Sequence, residues 1–359
     1  MISSVGSRNL WRWLLLVILL VCLQYYKYYA NKNRKSTDLL HTFANVNRNI
    51  NTGIMSYQRF LALNYTFNKL KLGMSRKIKY SKNTPVCRIN LESLGPRTVN
   101  KTRLISLDWV EKQLTQLFPG GYHAPKLCRS RHKVAIFIPY RDRYFNLEIF
   151  LYHMHPFWQK QLLEYQVFVI EQYGQYKFNK GALFNIAFME SQRFGTWGCL
   201  FFHDVDLIPL DERVLYTCPR MPTHMSPAVE SDHFELKYQK LFGGVTAMTP
   251  RHFLKVNGYS NCYWSWGGED DDMFKRIQAA KLGVRRLNSS IARFATLSHA
   301  QQEPNPDRYK KLGKAKKRFR MEGLKSIEYQ LISGHKRKSF THIIADVNPF
   351  DYQFCETVL

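Results

Sequence analysis

Between residues 133 and 203 short apolar runs alternate with segments of helical spacing, and this alternation restricts the fold more than any other feature of the chain. Lys133-Val-Ala-Ile-Phe-Ile-Pro139, Tyr165-Gln-Val-Phe-Val-Ile170 and Cys199-Leu-Phe-Phe-His203 are rich in β-branched and aromatic residues and too short for buried helices, so each reads as a buried strand. Between the first two, Asn146 to Gln161 places Leu147, Phe150, Leu151 and Met154 on one helical face; between the second and third, Ala182 to Met189 reads as another helix. Strand, helix, strand, helix, strand predicts an α/β domain with a mostly parallel central sheet and a ligand crevice at the carboxyl ends of the strands. Further strands are expected near Gly243-Gly-Val245, from Ala292 to Ser298, and from Phe340 to Val347, the last at a sheet edge.

The crevice rule makes the residues that follow each strand informative. Asp204 and Asp206 close the third strand, two residues apart and expected on one face of an extended segment. Paired carboxylates there suit a hard divalent cation that must also grip a diphosphate. Arg141 and Arg143 emerge from the first strand, in position to neutralise phosphate charge. His299 lies beyond a strand end and is a candidate metal ligand, although a lone histidine is more often structural.

Tyr263-Trp-Ser-Trp-Gly-Gly-Glu-Asp-Asp-Asp272 is the densest motif. Four adjacent acids repel one another unless something positive or proton-seeking uses them. The segment that follows reads as a helix from Met273 to Leu282, so the bland account is a well-charged helix start, where backbone N–H groups favour negative charge. Trp264, Trp266 and the glycines favour a second account: an aromatic wall for a sugar ring, with carboxylates for its hydroxyls and one of them a catalytic base. After His299, Gln301-Gln-Glu-Pro-Asn-Pro-Asp-Arg308 reads as a polar loop able to act as a lid.

The net charge of +26, from 53 Lys and Arg against 27 Asp and Glu, points to an anionic partner such as a sugar nucleotide, a membrane face or a nucleic acid. No zinc-finger or RNA-recognition signature accompanies it, which disfavours nucleic acid, and much of the charge falls in 27–103 and 308–338, outside the motifs, as on a solvated surface. Trp13 to Leu23 is an uninterrupted apolar run extended by Gln24-Tyr-Tyr26 and flanked by basic residues, which reads as an uncleaved membrane anchor. The expected organisation is a cytoplasmic tail (1–12), a transmembrane signal-anchor (13–30), a polar stem (31–85) and a globular catalytic domain (86–359). Asn-x-Ser/Thr sequons at Asn64, Asn100 and Asn288, with seven cysteines, fit a chain whose bulk lies in the secretory lumen.

Taken together, these residues resemble the β-1,4-galactosyltransferase family, metal-dependent inverting glycosyltransferases of the Golgi, and among them the invertebrate β-1,4-N-acetylgalactosaminyltransferases. The likeness runs from about Cys87 to Val347, with Pro139-Tyr-Arg-Asp-Arg143, Phe178-Asn-Lys-Gly-Ala182, Asp204-Val-Asp206, Phe242-Gly-Gly-Val245, Trp264 to Asp272, His299 and Glu303-Pro-Asn-Pro-Asp-Arg308 in matching order. It implies a nucleotide-sugar-binding Rossmann-like domain of the GT-A type in a single-pass type II Golgi membrane protein. It also implies uridine diphosphate against Pro139, Arg141, Arg143, Phe178, Asn179, Lys180 and Val205, and Mn²⁺ held by Asp206 and His299. Thr296 stands where the family has a methionine ligand, and its harder hydroxyl suggests a shift toward Mg²⁺. By the same likeness Asp270 is the general base toward the acceptor 4-hydroxyl. Glu269 and Trp266 meet the donor; Gly268, Asp271, Arg308 and Tyr309 meet a terminal GlcNAc on a glycoprotein or glycolipid.

Leu241 replaces the tyrosine of galactose-transferring members and leaves room for an N-acetyl group, which favours UDP-GalNAc over UDP-Gal. Lys180 replaces an arginine, with no direction legible. The family's disulfides map to Cys87–Cys128 and Cys199–Cys218, leaving Cys22, Cys262 and Cys355 unassigned, and any accessory subunit is left open. A glycan-binding protein without catalysis would keep Trp264 and Trp266 but could dispense with Asp270 and the metal pair.

Overall fold

The computed structural model describes residue 78 and residues 80–102, 106–300, 302–352 and 354–357. The expected tail, the anchor at 13–30, most of the stem, Asn64 and Cys22 lie outside the described residues; among the described residues no helix is long and apolar enough to cross a membrane.

After a short β1 (Tyr122–His123), the apolar runs become β2 (Lys133–Tyr140), β3 (Glu164–Tyr173) and β4 (Cys199–His203), joined by α1 (Tyr144–Lys160) and α2 (Lys180–Ser191). There follow β5 (Leu207–Pro209), β6 (Thr223–His224), β7 (Ala228–Val229) and β8 (Val245–Met248). Next come α3 (Glu269–Ala279), β9 (Arg285–Arg286) and β10 (Arg293–Thr296). The chain closes with α4 (Arg308–Gly313), α5 (Ala315–Arg318) and a hairpin of β11 (Gln330–Lys336) and β12 (Thr341–Asp346).

Among the described residues nine strands form one sheet, in the order β11-β12-β3-β2-β4-β8-β6-β9 with β1 added to β3, while β5, β10 and β7 form a small second sheet. β12, β3, β2 and β4 are parallel, but β8 runs antiparallel to both β4 and β6, and β11 antiparallel to β12. The expected mostly parallel sheet is therefore mixed. Parallel neighbours need a crossover, usually a helix; α1 and α2 supply it from β2 to β4, whereas no α-helix separates β4 from β8 along the chain. A second correction concerns Phe340 to Val347. Instead of an edge, β12 is an interior strand with Ile343 opposite Ile170, and the edge falls to β11, whose Gln-Leu-Ile-Ser-Gly-His-Lys carries too little apolar signal to be read as a strand.

Both faces of the parallel centre are covered, which explains why its strands are continuously apolar rather than alternating. Ile136, Ile138, Val167 and Val169 pack on Phe150, Leu151, Met154 and Trp158 of α1. Phe137, Phe168 and Phe202 pack on the opposite side against Leu183, Ile186 and Ala187 of α2. Each such side chain contributes about 1.5–3 kcal/mol by leaving water. Cys87–Cys128, Cys199–Cys218 and Cys262–Cys355 are disulfide-bonded. The carboxyl ends of β2 and β4 thus deliver Arg141 and Asp204 to one side of a rigid sheet.

Candidate active site

One lysine joins the two acidic motifs. Asn179 caps α2, its Oδ1 accepting from Ala182 N–H at 2.9 Å, and the helix opens with Lys180. The Lys180 Nζ lies 2.8 Å from Asp204 at the end of β4 and 3.4 Å from Glu269 at the start of α3. Burial alone would lower the pKa of Lys180, but Asp204, Glu269 and Asp270 together lift it well above the usual lysine value. Burial pushes the Glu269 carboxyl up to about 7, with Lys180 pulling it back and Asp270 adding to the rise. Lys180, Phe242, Gly243, Glu269 and Asp270 line one small pocket.

The approach to α3 explains the glycines. Ser265, Gly267 and Gly268 have φ of 67°, 94° and 101°, and a β-carbon at Gly268 would come within 2.5 Å of the Tyr263 ring. Only glycine fits both demands there. Helical geometry then separates the four acids. Glu269 and Asp270 face the Lys180 pocket, and Asp271 accepts from the Tyr238 hydroxyl at 3.0 Å. Asp272 turns into the core, where it accepts from Arg276 at 2.5 Å, Arg318 at 2.6 Å and Tyr263 at 3.0 Å. Glu322 completes that cluster by accepting from both arginines. The Asp272–Arg276 spacing of four on a helix was the available sequence signal for this structural role.

Asp206 and His299 meet directly, Oδ2 to Nε2 at 3.0 Å. β10 runs beside β5, and Leu297 N–H donates to the Asp206 carbonyl at 2.8 Å, which carries His299 to its partner. The hydrogen bond that the Asp206 carboxylate accepts raises the His299 pKa against burial. Asp204 and Asp206 do not share a face as expected. Residues 204–206 turn, with Leu207 N–H on the Asp204 carbonyl at 3.3 Å, so Asp204 points to Lys180 and Asp206 to His299. The Thr296 hydroxyl is directed at Ser231, whose N–H it accepts at 3.3 Å. Among the described residues no group of three or more His, Cys, Asp or Glu converges as a ligand set. The carboxylate and imidazole of Asp206 and His299 nevertheless form a two-residue donor set of the hardness that suits Mn²⁺.

Around this centre Arg141 donates to the Tyr176 carbonyl at 2.6 Å and lies 5.3 Å over the Phe178 ring, and Arg143 donates to the Ala300 carbonyl at 2.9 Å. Pro139 and Val205 are buried. The Asn179 side chain is buried, its Oδ1 accepting from Ala182 N–H and its Nδ2 donating to the Asn261 carbonyl at 2.8 Å. Trp266 is 56% exposed, and its backbone bonds to Glu303 and Asn305 dock the 303–309 segment against it. The Arg308 guanidinium lies 5.3 Å from the Trp266 ring and 4.8 Å from that of Tyr309. Leu241 is half-buried just before Phe242-Gly-Gly, its carbonyl accepting from Arg286 at 2.9 Å. Sequence reasoning missed Tyr238 and Arg286, whose roles rest on contacts between distant segments. Asn100 and Asn288 are exposed, each accepting from the hydroxyl two residues on.

Residues 87–219 match the N-terminal region of glycosyl transferase group 7, and residues 223–300 the N-terminal domain of galactosyltransferase. The chain is 38% identical over 257 residues to β-1,4-galactosyltransferase 1 of Mus musculus, a match that takes in 71% of this chain and 64% of the mouse protein. It is 37% identical over 265 residues to β-1,4-galactosyltransferase 4 of Cricetulus griseus, covering 72% of this chain and 77% of that protein. Among solved structures, the catalytic domain of Drosophila β1,4galactosyltransferase 7 with xylobiose is 27% identical, with a TM-score of 0.50 over 62% of this chain and 98% of that one. A mutant of the same enzyme, in complex with manganese, UDP-Gal and xylobiose, matches equally. These likenesses agree with the GT-A-like mixed sheet and the ordered site motifs, and the chain belongs to the group 7 glycosyltransferases, the β-1,4-galactosyltransferase family.

Proposed function

We propose that the protein is an inverting hexosyltransferase that moves GalNAc from UDP-GalNAc to the 4-hydroxyl of a terminal GlcNAc on a glycoprotein or glycolipid. The observation that carries this reading is the convergence at Lys180, which bridges the Asp204 turn, and with it Asp206 and His299, to the helix start bearing Glu269 and Asp270. Asp206 and His299 would hold Mn²⁺, the ion found with UDP-Gal in the Drosophila complex, with Thr296 as a further ligand and Mg²⁺ as the alternative ion. When bound, the ion supplies positive charge to the departing diphosphate.

The chain's own residues do the rest. Arg141 and Arg143 neutralise phosphate, while Pro139, Phe178 and Val205 form the uridine wall. Asp270 takes the proton from the acceptor 4-hydroxyl as that oxygen bonds to the anomeric carbon from the side opposite the diphosphate, whose bond to the sugar breaks. Attack from that side inverts the centre. Glu269 takes donor hydroxyls, and Trp266 closes over the donor. Gly268, Asp271, Arg308 and Tyr309 form the acceptor wall.

Leu241 beside Phe242-Gly-Gly supports GalNAc, because an aliphatic side chain leaves space at the sugar's second carbon. UDP-Gal is the second reading, favoured by the names of the relatives. We place the catalytic domain in the Golgi lumen behind an anchor at 13–30 and a stem at 31–85. The disulfides and the exposed Asn100 and Asn288 sequons support an oxidising, glycosylating compartment. The test is full-length protein in detergent with Mn²⁺, a GlcNAc-terminated acceptor and either UDP-GalNAc or UDP-Gal. Consumption of UDP-GalNAc is expected, together with its loss in Asp270→Asn and a shift toward UDP-Gal in Leu241→Tyr. Equal turnover by Asp270→Asn would remove the reading.

A further inference from the structure

Residues 238–243 belong to neither helix nor strand, yet they meet the site at two points. The Tyr238 hydroxyl donates to Asp271 at 3.0 Å, and Gly243 lies against Asp270 in the Lys180 pocket. Between them stands Leu241, the residue beside the donor sugar in the proposed reaction. A segment without regular structure needs partners for its carbonyls if it is to hold one conformation. Within the segment, Leu241 N–H on the Tyr238 carbonyl at 3.1 Å closes a turn.

Arg286 supplies the partners. It sits on β9, the last strand of the large sheet, and its Nη2 donates both to the Gln239 carbonyl at 3.0 Å and to the Leu241 carbonyl at 2.9 Å. Its Nε donates to Nδ1 of His224 on the neighbouring β6, at 3.0 Å. His224 is fully buried; burial, then the charge of Arg286, pushes its pKa down to about 3, so the ring is neutral and Nδ1 accepts. A guanidinium is planar with donors in fixed directions, so a ring held in the core fixes the angle at which the two carbonyls are gripped. A lysine, with a tetrahedral head on a flexible stem, cannot reproduce that fork.

We propose that Arg286 is a positioning residue that sets donor-sugar selectivity, by clamping the Gln239 and Leu241 carbonyls so that the Leu241 side chain stays fixed beside the sugar's second carbon. The inference rests on the transfer reading above for its selectivity arm alone. The same clamp steadies Tyr238 against Asp271, so acceptor binding loosens with it. Arg285, the preceding residue on the same strand, is exposed and lines a separate cavity of about 290 Å³ with Met221 and Leu287, which makes it the control for general damage to the strand.

The experiment compares Arg286→Lys and Arg285→Lys in the full-length protein by two readouts. In kinetics, Arg286→Lys is expected to move the ratio of kcat/KM for UDP-GalNAc over UDP-Gal at least about fivefold toward unity, mainly through donor KM, with kcat within about threefold. Arg285→Lys should leave the ratio as in the parent. In hydrogen exchange, which needs no turnover, Arg286→Lys should speed exchange in the 238–243 segment at least about tenfold, and Arg285→Lys should not. Unchanged exchange at 238–243, an unchanged donor ratio, or the same shift in Arg285→Lys overturns the clamp. If the parent transfers neither sugar, the reaction assigned above fails, and exchange alone decides whether the clamp exists. Should Arg286→Lys fail to fold, Arg286→Gln, which retains one planar amide for a single carbonyl, takes its place with an intermediate shift expected.

Discussion

The Oδ2 of Asp270 lies 2.4 Å from the point where a β-carbon on residue 243 would stand, so Gly243 and the Asp270 carboxylate share one space. The φ of Gly243 is outside the left-handed region, so steric exclusion alone calls for glycine here. Because the obstructed group is the end of a side chain, Gly243→Ala should fold, at a cost of about 1 kcal/mol for overpacking. The methyl must displace Asp270 from the acceptor side. Transfer should fall about 100-fold, the scale of a misplaced general base, with donor KM little altered. Steady-state kinetics beside urea unfolding check this; full activity in Gly243→Ala would separate Asp270 from the chemistry.

Glu269 ties stability to pH. A carboxyl whose native pKa lies above its unfolded value binds its proton more tightly in the fold, so it favours the native state at low pH and loses that contribution as pH rises. Burial moves Glu269 from the ordinary 4.5 to about 7, against the pull of Lys180, so stability should decline across that interval. Glu269→Gln should flatten the decline and be the more stable protein above pH 7. Urea unfolding at pH 5 and pH 8 measures it, and an unaltered slope in the variant would show that Lys180 keeps Glu269 ionised throughout.

The sequence discloses the parts of this fold that depend on local pattern. Lys133 to Pro139 and Cys199 to His203 are strands within a residue of their expected ends, since runs of Val, Ile and Phe bounded by Pro, Gly or Asp suit only a buried strand. What it does not disclose depends on tertiary partners. β6 and β9 have two residues each, below any period that a pattern can carry. Asp204 and Asp206 look equivalent until a turn sends one to Lys180 and the other to His299. Arg286 is one basic residue among 53 until its fork is seen on the 239–241 carbonyls.

Cys262 and Cys355 show the same limit, since no spacing connects them. Their bond closes a separation of 93 residues and ties Cys355 to the residue just before the tryptophan motif, where the Cys262 carbonyl also accepts from Lys311 at 3.1 Å. Replacing both by serine should cost about 2–4 kcal/mol, because a loop of that length regains freedom when unfolded. Thermal unfolding without reductant measures the loss. Comparison with the parent in reductant then tests the pairing, since the variant should respond less to reduction by the share belonging to this bridge.

Asp271 and Asp272 are adjacent in sequence and should behave as opposites. Asp272 is fully buried between Arg276 and Arg318, so Asp272→Ala leaves two core guanidiniums with Glu322 as their remaining carboxylate. Breaking a buried pair on one side costs about 3–5 kcal/mol. Asp271 is half-buried and its carboxylate accepts from the partly exposed Tyr238 hydroxyl, so Asp271→Ala should cost under about 1 kcal/mol. Activity should divide the other way. Asp271→Ala is expected to raise acceptor KM in a stable protein, whereas any activity lost in Asp272→Ala should follow its unfolded fraction and return on cooling or with a stabilising osmolyte. Denaturation and kinetics on the two variants side by side check this: a stable but inactive Asp272→Ala would put that acid in the chemistry, and an unstable Asp271→Ala would put the other in the framework.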